Sequence, residues 1–164
     1  MEPLDRFDRW ILHALQRDAR LTLAALAETV SLSPSQCSRR IARLEESGVI
    51  QGHALSLDPE ALGLKVTAFI SLSIDKGRLI SPKDAVAALL SRDEVVDCYA
   101  VTGSYDFILK VVVADLAELS HFLSSTVSPI KGIRDIASQI AMNSLKVGGP
   151  LKVSPCPPTS ECHI

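Results

Sequence analysis

A chain of 164 residues that is 47% hydrophobic can bury a core of its own, as one domain or two small ones. With 17 basic against 19 acidic residues its net charge is -2, which excludes a protein that coats nucleic acid by bulk electrostatics and leaves room for a locally basic surface. The apolar residues are spread through amphipathic segments, and no run approaches the roughly 20 that span a bilayer, so a soluble protein with no membrane partner is expected.

The opening Met1-Glu2-Pro3-Leu4-Asp5 is acidic and leads into neither a continuous apolar run nor a small-residue cleavage site, so cytoplasmic residence is expected. Asp5 is the predicted N-cap of a first helix that carries Leu4, Phe7, Ile11 and Leu15 near helical spacing. After Asp18-Ala19-Arg20, Thr22 caps a second helix, with Leu23, Leu26, Ala27 and Val30 at three- and four-residue intervals. Ser31-Leu32-Ser33 then makes a tight connection. Ser33, Pro34 and Gln36 combine an N-cap, a first-turn proline and a capping-box partner, each of which satisfies or avoids an orphan amide. The third helix runs to about Ser47, where Gly48 stops it.

Val49 to Leu57 lacks a helical period and leads through Asp58-Pro59 to Leu62-Gly63, which predicts an extended linker with a short helical turn. From Lys65 the pattern alternates, placing Val66, Ala68, Ile70, Leu72 and Ile74 on one face of a strand. Ser81-Pro82 starts a helix with Ala85, Val86, Leu89 and Leu90, Val95 to Thr102 is β-rich, and Gly103-Ser104 turns into a strand from Phe107 to Val113. Asp115 caps a helix with Leu116, Leu119, Phe122 and Leu123 inward, and Ile133 to Met142 forms the last strand.

The order βαββαβ implies a ferredoxin-like antiparallel sheet with both helices on one face, and with the other face in need of a partner. The expected class is α+β, with an N-terminal winged or helix-turn-helix domain over residues 1–50, a linker over 51–64 and the βαββαβ domain over 65–147. Residues 148–164, with Pro155, Pro157 and Pro158, read as a flexible tail. Cys37, Cys98, Cys156 and Cys162 are scattered, without a Cys-x-x-Cys pair or a histidine at zinc spacing, and are expected as reduced thiols with no metal.

On a helical wheel Cys37, Ile41 and Leu44 define the inward face of the third helix, while Ser35, Gln36, Arg39 and Arg43 point away from it. Arginine takes guanine edges bidentately, glutamine takes adenine edges, and serine hydroxyls hold phosphates. Ser35, Gln36 and Arg39 are therefore candidate base readers of double-stranded DNA, with Ser33 at the helix start and Arg40 and Arg43 as candidate phosphate contacts. Arg40 lies nearer the buried flank and is equally a candidate partner for Glu45 or for an acid on the first helix. The plain alternative is a basic helix that is merely solvated. The preceding turn and the lack of outward acids before Glu45 weigh toward DNA.

The assembled residues resemble the Lrp/AsnC family of transcriptional regulators over nearly the whole chain. The marks are Leu4-Asp5-Arg6-Phe7-Asp8 followed by Ile11-Leu12, then Leu26-Ala27, Leu32-Ser33, Arg40-Ile41-Ala42-Arg43-Leu44-Glu45 and Gly48-Val49-Ile50. Leu62-Gly63-Leu64 and Val101-Thr102-Gly103-Ser104-Tyr105-Asp106 extend the match into the second domain. The resemblance implies a homodimer built through the βαββαβ domain, often assembled into octamers or larger rings, that binds imperfectly palindromic promoter sites. It also implies a small-molecule effector, commonly an amino acid, held in a cleft between dimers and coupled to assembly or DNA affinity. No other cofactor is implied.

By position, Gly103, Ser104, Tyr105 and Asp106 form one wall of that cleft, with Tyr99, Val101 and Thr102 leading into it and Ser138, Gln139 and Ile140 contributing from the last strand. The glycine lets backbone approach a carboxylate, and Asp106 can accept from an α-ammonium group. The alternative is a hairpin turn in which Asp106 caps backbone amides. In place of the family's Pro-Gly ahead of the last strand this chain has Pro129-Ile130-Lys131-Gly132-Ile133, a change in a loop close to subunit contacts.

Two rivals stand beside this reading. One is an architectural DNA-organising protein without an effector. The other is an enzyme like the haem-pathway decarboxylases that reuse both domains, but here Gln51-Gly52-His53 replaces an arginine-rich linker. His13, His53, His121 and His163 form no ligand spacing and no nucleophile–base set is discernible, so no enzyme is expected.

Overall fold

The computed structural model describes residues 3–75 and 82–154. It divides into two units, one reaching from the N-terminus to Ser56 and taking up the chain again at Lys146, the other spanning Leu57–Leu145. Ser81, the side chain of Ala85, and Pro155 onward, including Cys156, Cys162 and His163, lie outside the described residues.

The first unit is a trio of helices, α1 (Arg6–Arg17), α2 (Leu23–Val30) and α3 (Pro34–Glu46). Asp5 caps α1 through a reciprocal box, accepting from the Asp8 N–H at 2.8 Å while the Asp8 carboxylate accepts from the Asp5 N–H at 3.1 Å. Thr22 caps α2 by accepting from the Ala25 N–H at 3.2 Å. The turn into α3 is made by Ser31 at φ 55°, the left-handed region, with the Leu32 N–H returning to the Ala27 carbonyl at 3.0 Å. That geometry costs a residue with a Cβ about 1 kcal/mol and sets the angle between the two helices. Ile11, Ala14, Leu26, Ala27, Val30, Cys37 and Leu44 bury the shared core, and Ile41 packs half-buried beside them.

Leu23 departs from the expected inward row, being exposed at the first position of α2. Gly48, at φ 72°, ends α3 as expected. Among the described residues of this unit no strand follows α3, so the helix-turn-helix carries no wing. From Lys146 the chain packs with this unit, and at Leu151, within the expected tail, the Gln16 side chain accepts from the backbone N–H at 2.7 Å and donates to the carbonyl at 3.4 Å.

The second unit holds a short 3-10 turn (Glu60–Leu62), then β1 (Val66–Ile74), α4 (Pro82–Leu90), β2 (Val95–Ala100), β3 (Phe107–Val113), α5 (Leu116–His121) and β4 (Ile133–Ile140). The strands order β2-β3-β1-β4, all neighbours antiparallel, which is the expected ferredoxin-like arrangement. Ala68, Ile70, Leu72 and Ile74 of β1 face Phe107, Leu109, Val111 and Val113 of β3 in one core, sealed by Val86, Leu89, Leu119, Phe122 and Val127. Strand alternation and burial thus agree along β3 and along β1 up to Leu72, with Ser73 buried out of turn at the end of β1.

Two helix residues expected inward are not. Leu90 and Leu116 are exposed, and each sits at an end of its helix. β4 ends at Ile140, and Met142, expected on the strand, is fully exposed. α5 widens into a π-helical turn, Phe122–Val127, where the Ser124 hydroxyl donates to the Ser120 carbonyl at 2.9 Å and the Ser128 hydroxyl donates to that of Leu123 at 2.8 Å. Hydroxyls competing for helix carbonyls loosen the ladder there.

Leu72 lies at the centre of this core with no exposed surface. Leu72→Ala should lower stability by about 2–5 kcal/mol, read from the urea midpoint, since the site is walled by strands that cannot collapse onto the void.

Candidate nucleic-acid interface and ligand loop

α3 begins with its own cap. The Ser33 hydroxyl accepts from the Gln36 N–H at 3.3 Å and Gln36 Oε1 accepts from the Ser33 N–H at 3.0 Å, so both residues serve the helix start foreseen from the Ser-Pro-x-Gln pattern. Ser33 and Ser35 hydroxyls lie 3.1 Å apart. Ser33, Ser35, Gln36 and Arg39 are all exposed, with Ser35, Gln36 and Arg39 grouped by i, i+3 and i, i+4 spacing on one face. Backbone amides at this capped end and the positive end of the helix dipole favour an anion nearby.

The other two arginines are differently placed. Arg40 Nη1 donates to Asp5 Oδ2 and to Asp8 Oδ1, both at 2.7 Å, and Arg43 Nη2 donates to Asp8 Oδ2 at 2.6 Å. The Asp8 side chain is 1% exposed, against 20% for Arg40 and 46% for Arg43. The Arg40 guanidinium also lies 5.4 Å from the centre of the Phe7 ring. Burial raises the Asp5 carboxyl, but the Asp8 amide and the Arg40 guanidinium outweigh it and hold the group below its ordinary value. Burial likewise pulls Arg40 down, and its two carboxylates more than restore it, so it stays firmly charged.

These contacts give Arg40 and Arg43, the expected phosphate contacts, carboxylate partners within the protein. Arg40 takes the acid on the first helix rather than Glu45, and Arg43 joins it. Asp8 was missed. Its signal was a carboxylate one turn before Ile11 on the side of α1 that otherwise carries Leu4, Ile11 and Ala14, an acid in an apolar row that demands a cationic partner. Arg39, Arg40 and Arg43 together line a recess of about 140 Å³ on the surface of α3.

In the second unit the loop from Val101 to Asp106 is pinned to the end of β1. The Val101 N–H donates to the Asp106 carbonyl at 3.0 Å, the Asp106 N–H donates to the Leu72 carbonyl at 2.8 Å, and the Ile74 N–H donates to Asp106 Oδ2 at 2.8 Å. The buried Ser73 hydroxyl donates to the Ser104 carbonyl at 3.2 Å. Gly103 takes φ 127°, which a side chain would resist, leaving Thr102, Gly103 and Ser104 exposed at the tip with Val101, Tyr105 and Asp106 half-buried behind them. Asp106 therefore does cap a backbone amide, as the alternative reading held.

One chain does not gather all the loop and strand candidates into a single pocket. Tyr99 is exposed opposite Ile108 on edge strand β2, whereas Ser138, Gln139 and Ile140 lie exposed on the opposite edge strand, β4. Gln139 pairs with Phe69 of β1, four residues from Ser73, where the loop is anchored. At about 3.3 Å per residue that is roughly 13 Å along the strand. Alternation places Gln139 on the helix-free face and Ser138 and Ile140 on the other. A separate cavity of about 470 Å³, which the sequence did not suggest, lies in the first unit among Leu4, Leu12, Leu15, Ile50, His53 and Leu151.

Among the described residues no cluster of three or more His, Cys, Asp or Glu is placed to hold a metal ion, and no helix is long and apolar enough to cross a membrane. Residues 4–45 match the AsnC-type helix-turn-helix domain, and residues 67–151 match the Lrp/AsnC ligand binding domain. The chain is 35% identical over 143 residues to the DNA-binding transcriptional activator DecR of Escherichia coli, covering 87% of this chain and 94% of that one. It is 33% identical to the leucine-responsive regulatory protein of Salmonella typhimurium, covering 87% of each. A transcriptional regulator of Neisseria meningitidis solved in complex with L-methionine superposes with a TM-score of 0.85 at 35% identity, over 93% of this chain and 98% of that one.

Replacing Asp106 by Ala should lower the melting temperature by an amount corresponding to about 1–3 kcal/mol, the cost of leaving the Ile74 amide without its acceptor. A melting curve that overlays the parent's would show that the loop needs no such anchor.

Proposed function

This chain belongs to the Lrp/AsnC family, and from that premise we propose how a DNA-binding transcriptional regulator of this sequence reads its site and senses its effector. The observation that carries the reading is the exposed Ser35, Gln36 and Arg39 face at the capped end of α3, the second helix of the helix-turn-helix pair. In the major groove Arg39 would take a guanine edge and Gln36 an adenine edge, with Ser33, Ser35 and the helix amides on the backbone. Arg40 and Arg43 reach phosphate only in competition with their carboxylates.

The helix-free face of the sheet carries Phe69 at 40% and Tyr99 at 59% exposure beside Ile108 and Val112, apolar surface that a lone domain would leave wet. We assign it to a second copy of this chain, giving a homodimer with two reading helices for two half-sites, able to assemble further into octamers or other rings. The Neisseria relative is solved with L-methionine, and we infer an amino-acid effector here. Because the 101–106 loop and the Ser138–Ile140 stretch stand well apart in one chain, the effector site is completed between copies, the loop of one facing the strand of another. Ligand and assembly are thereby coupled. The role is regulatory rather than enzymatic, and promoter DNA as partner goes with cytoplasmic residence.

Two measurements test this. Arg39→Ala should weaken promoter binding by about 1–3 kcal/mol while leaving the dimer intact by light scattering, and unchanged binding would remove α3 from the groove. In a thermal-shift panel of the standard amino acids, L-methionine included, one or a few should stabilise the protein by about 2.7 kcal/mol at 100 times the dissociation constant. A flat panel would favour the architectural reading without an effector.

A further inference from the structure

α3 carries Arg39, Arg40 and Arg43 in a chain whose net charge is -2, and its pull on DNA would be expected to rest on all three. The contacts subtract two of them. Asp5 and Asp8 sit 2.7 Å from Arg40, and Asp8 sits 2.6 Å from Arg43, so two carboxylates balance two guanidiniums at the root of the reading helix. Among the described residues Arg39 is the α3 arginine with no carboxylate partner. Asp8 cannot release its guanidiniums without standing as an unpaired charge in the core. A phosphate must therefore compete with a carboxylate already in place.

We propose that Asp5 and Asp8 are positioning residues that set the sequence-independent affinity for DNA, holding Arg40 and Arg43 on the protein's own acids and so limiting the number of phosphates each α3 neutralises. The backbone term supplies nearly all non-specific binding, and each phosphate neutralised releases counterions whatever the base sequence. Restraining that term keeps a regulator from being retained on the bulk of the chromosome, where non-cognate sites vastly outnumber its own. Discrimination between sequences then falls to Ser35, Gln36 and Arg39. This rests on the reading of α3 as the DNA helix.

The test uses the full chain and Asp5→Asn, since asparagine is as good an N-cap as aspartate and keeps the acceptor for the Asp8 amide while removing one charge from Arg40. Binding to a mixed-sequence duplex is measured across a salt series, with melting curves recorded alongside. The expected result is a slope of log affinity against log salt steeper by about 0.9 per engaged unit, and binding roughly fivefold tighter at about 0.15 M salt. If Asp5→Asn melts cooperatively yet binds no tighter and with the parental slope, while Arg39→Ala still weakens binding to a promoter duplex, the restraint is overturned and the α3 reading stands. If Asp5→Asn leaves the slope unchanged and Arg39→Ala leaves promoter binding unchanged, both fall. An Asp5→Asn chain that no longer melts cooperatively also overturns the proposal, because the cluster would then be a folding element alone.

Discussion

The carboxylate of Asp8 accepts hydrogen bonds from two helices at once, from its own capping box on α1 and from two arginines one turn apart on α3, and the placement of α3 depends on that convergence. A carboxylate out of water is tolerated only when its lone pairs are filled, and breaking such a group away from its partners typically costs about 3–5 kcal/mol. α1 and α3 are thus tied by charge at the rim where Cys37 and Leu44 tie them by apolar contact below. The turn at Ser31 joins α2 to α3 in the left-handed region, and the Asp8 bonds to Arg40 and Arg43 tie one flank of α3 to α1.

The second unit obeys a simpler constraint. An antiparallel sheet with helices on one face buries alternate residues of β1 and β3, and the other alternate set remains on the bare face whether or not it is apolar. Phe69 and Tyr99 are on that face because the register leaves them no other. The loop after β2 is held by Asp106 and Ser104 to the end of β1, so its exposed tip at Gly103 is a fixed feature of the sheet rather than a loose hairpin.

In the assembly proposed above the two features would meet. A second copy on the bare sheet face would double the α3 helices, and the loop and strand on opposite sides of β1 would enclose a ligand where copies meet. Coupling between effector and DNA would then need no path of contacts through one chain, because both would bias the same assembly equilibrium.

Local order was open to the sequence alone. The caps at Asp5, Thr22, Ser33 and Asp115, the stop at Gly48, the alternation from Val66 to Ile74 and the βαββαβ order all rest on neighbours within a turn or a strand, and these elements stand where they were expected. The exposed face of α3 was legible for the same reason, since a wheel gives directions about a helix's own axis. What only the tertiary structure decided lies between elements. Arg40 and Arg43 meet Asp8 across 32 and 35 residues, and which acid an arginine finds depends on how two helices cross, which no periodicity reports. Leu23, Leu90 and Leu116 keep the apolar spacing yet are exposed, because a wheel does not show where the opposing surface ends. The separation of Gln139 from the loop's anchor at Ser73 likewise follows from the register of β4 on β1, a property of pairing across the sheet rather than of any one segment.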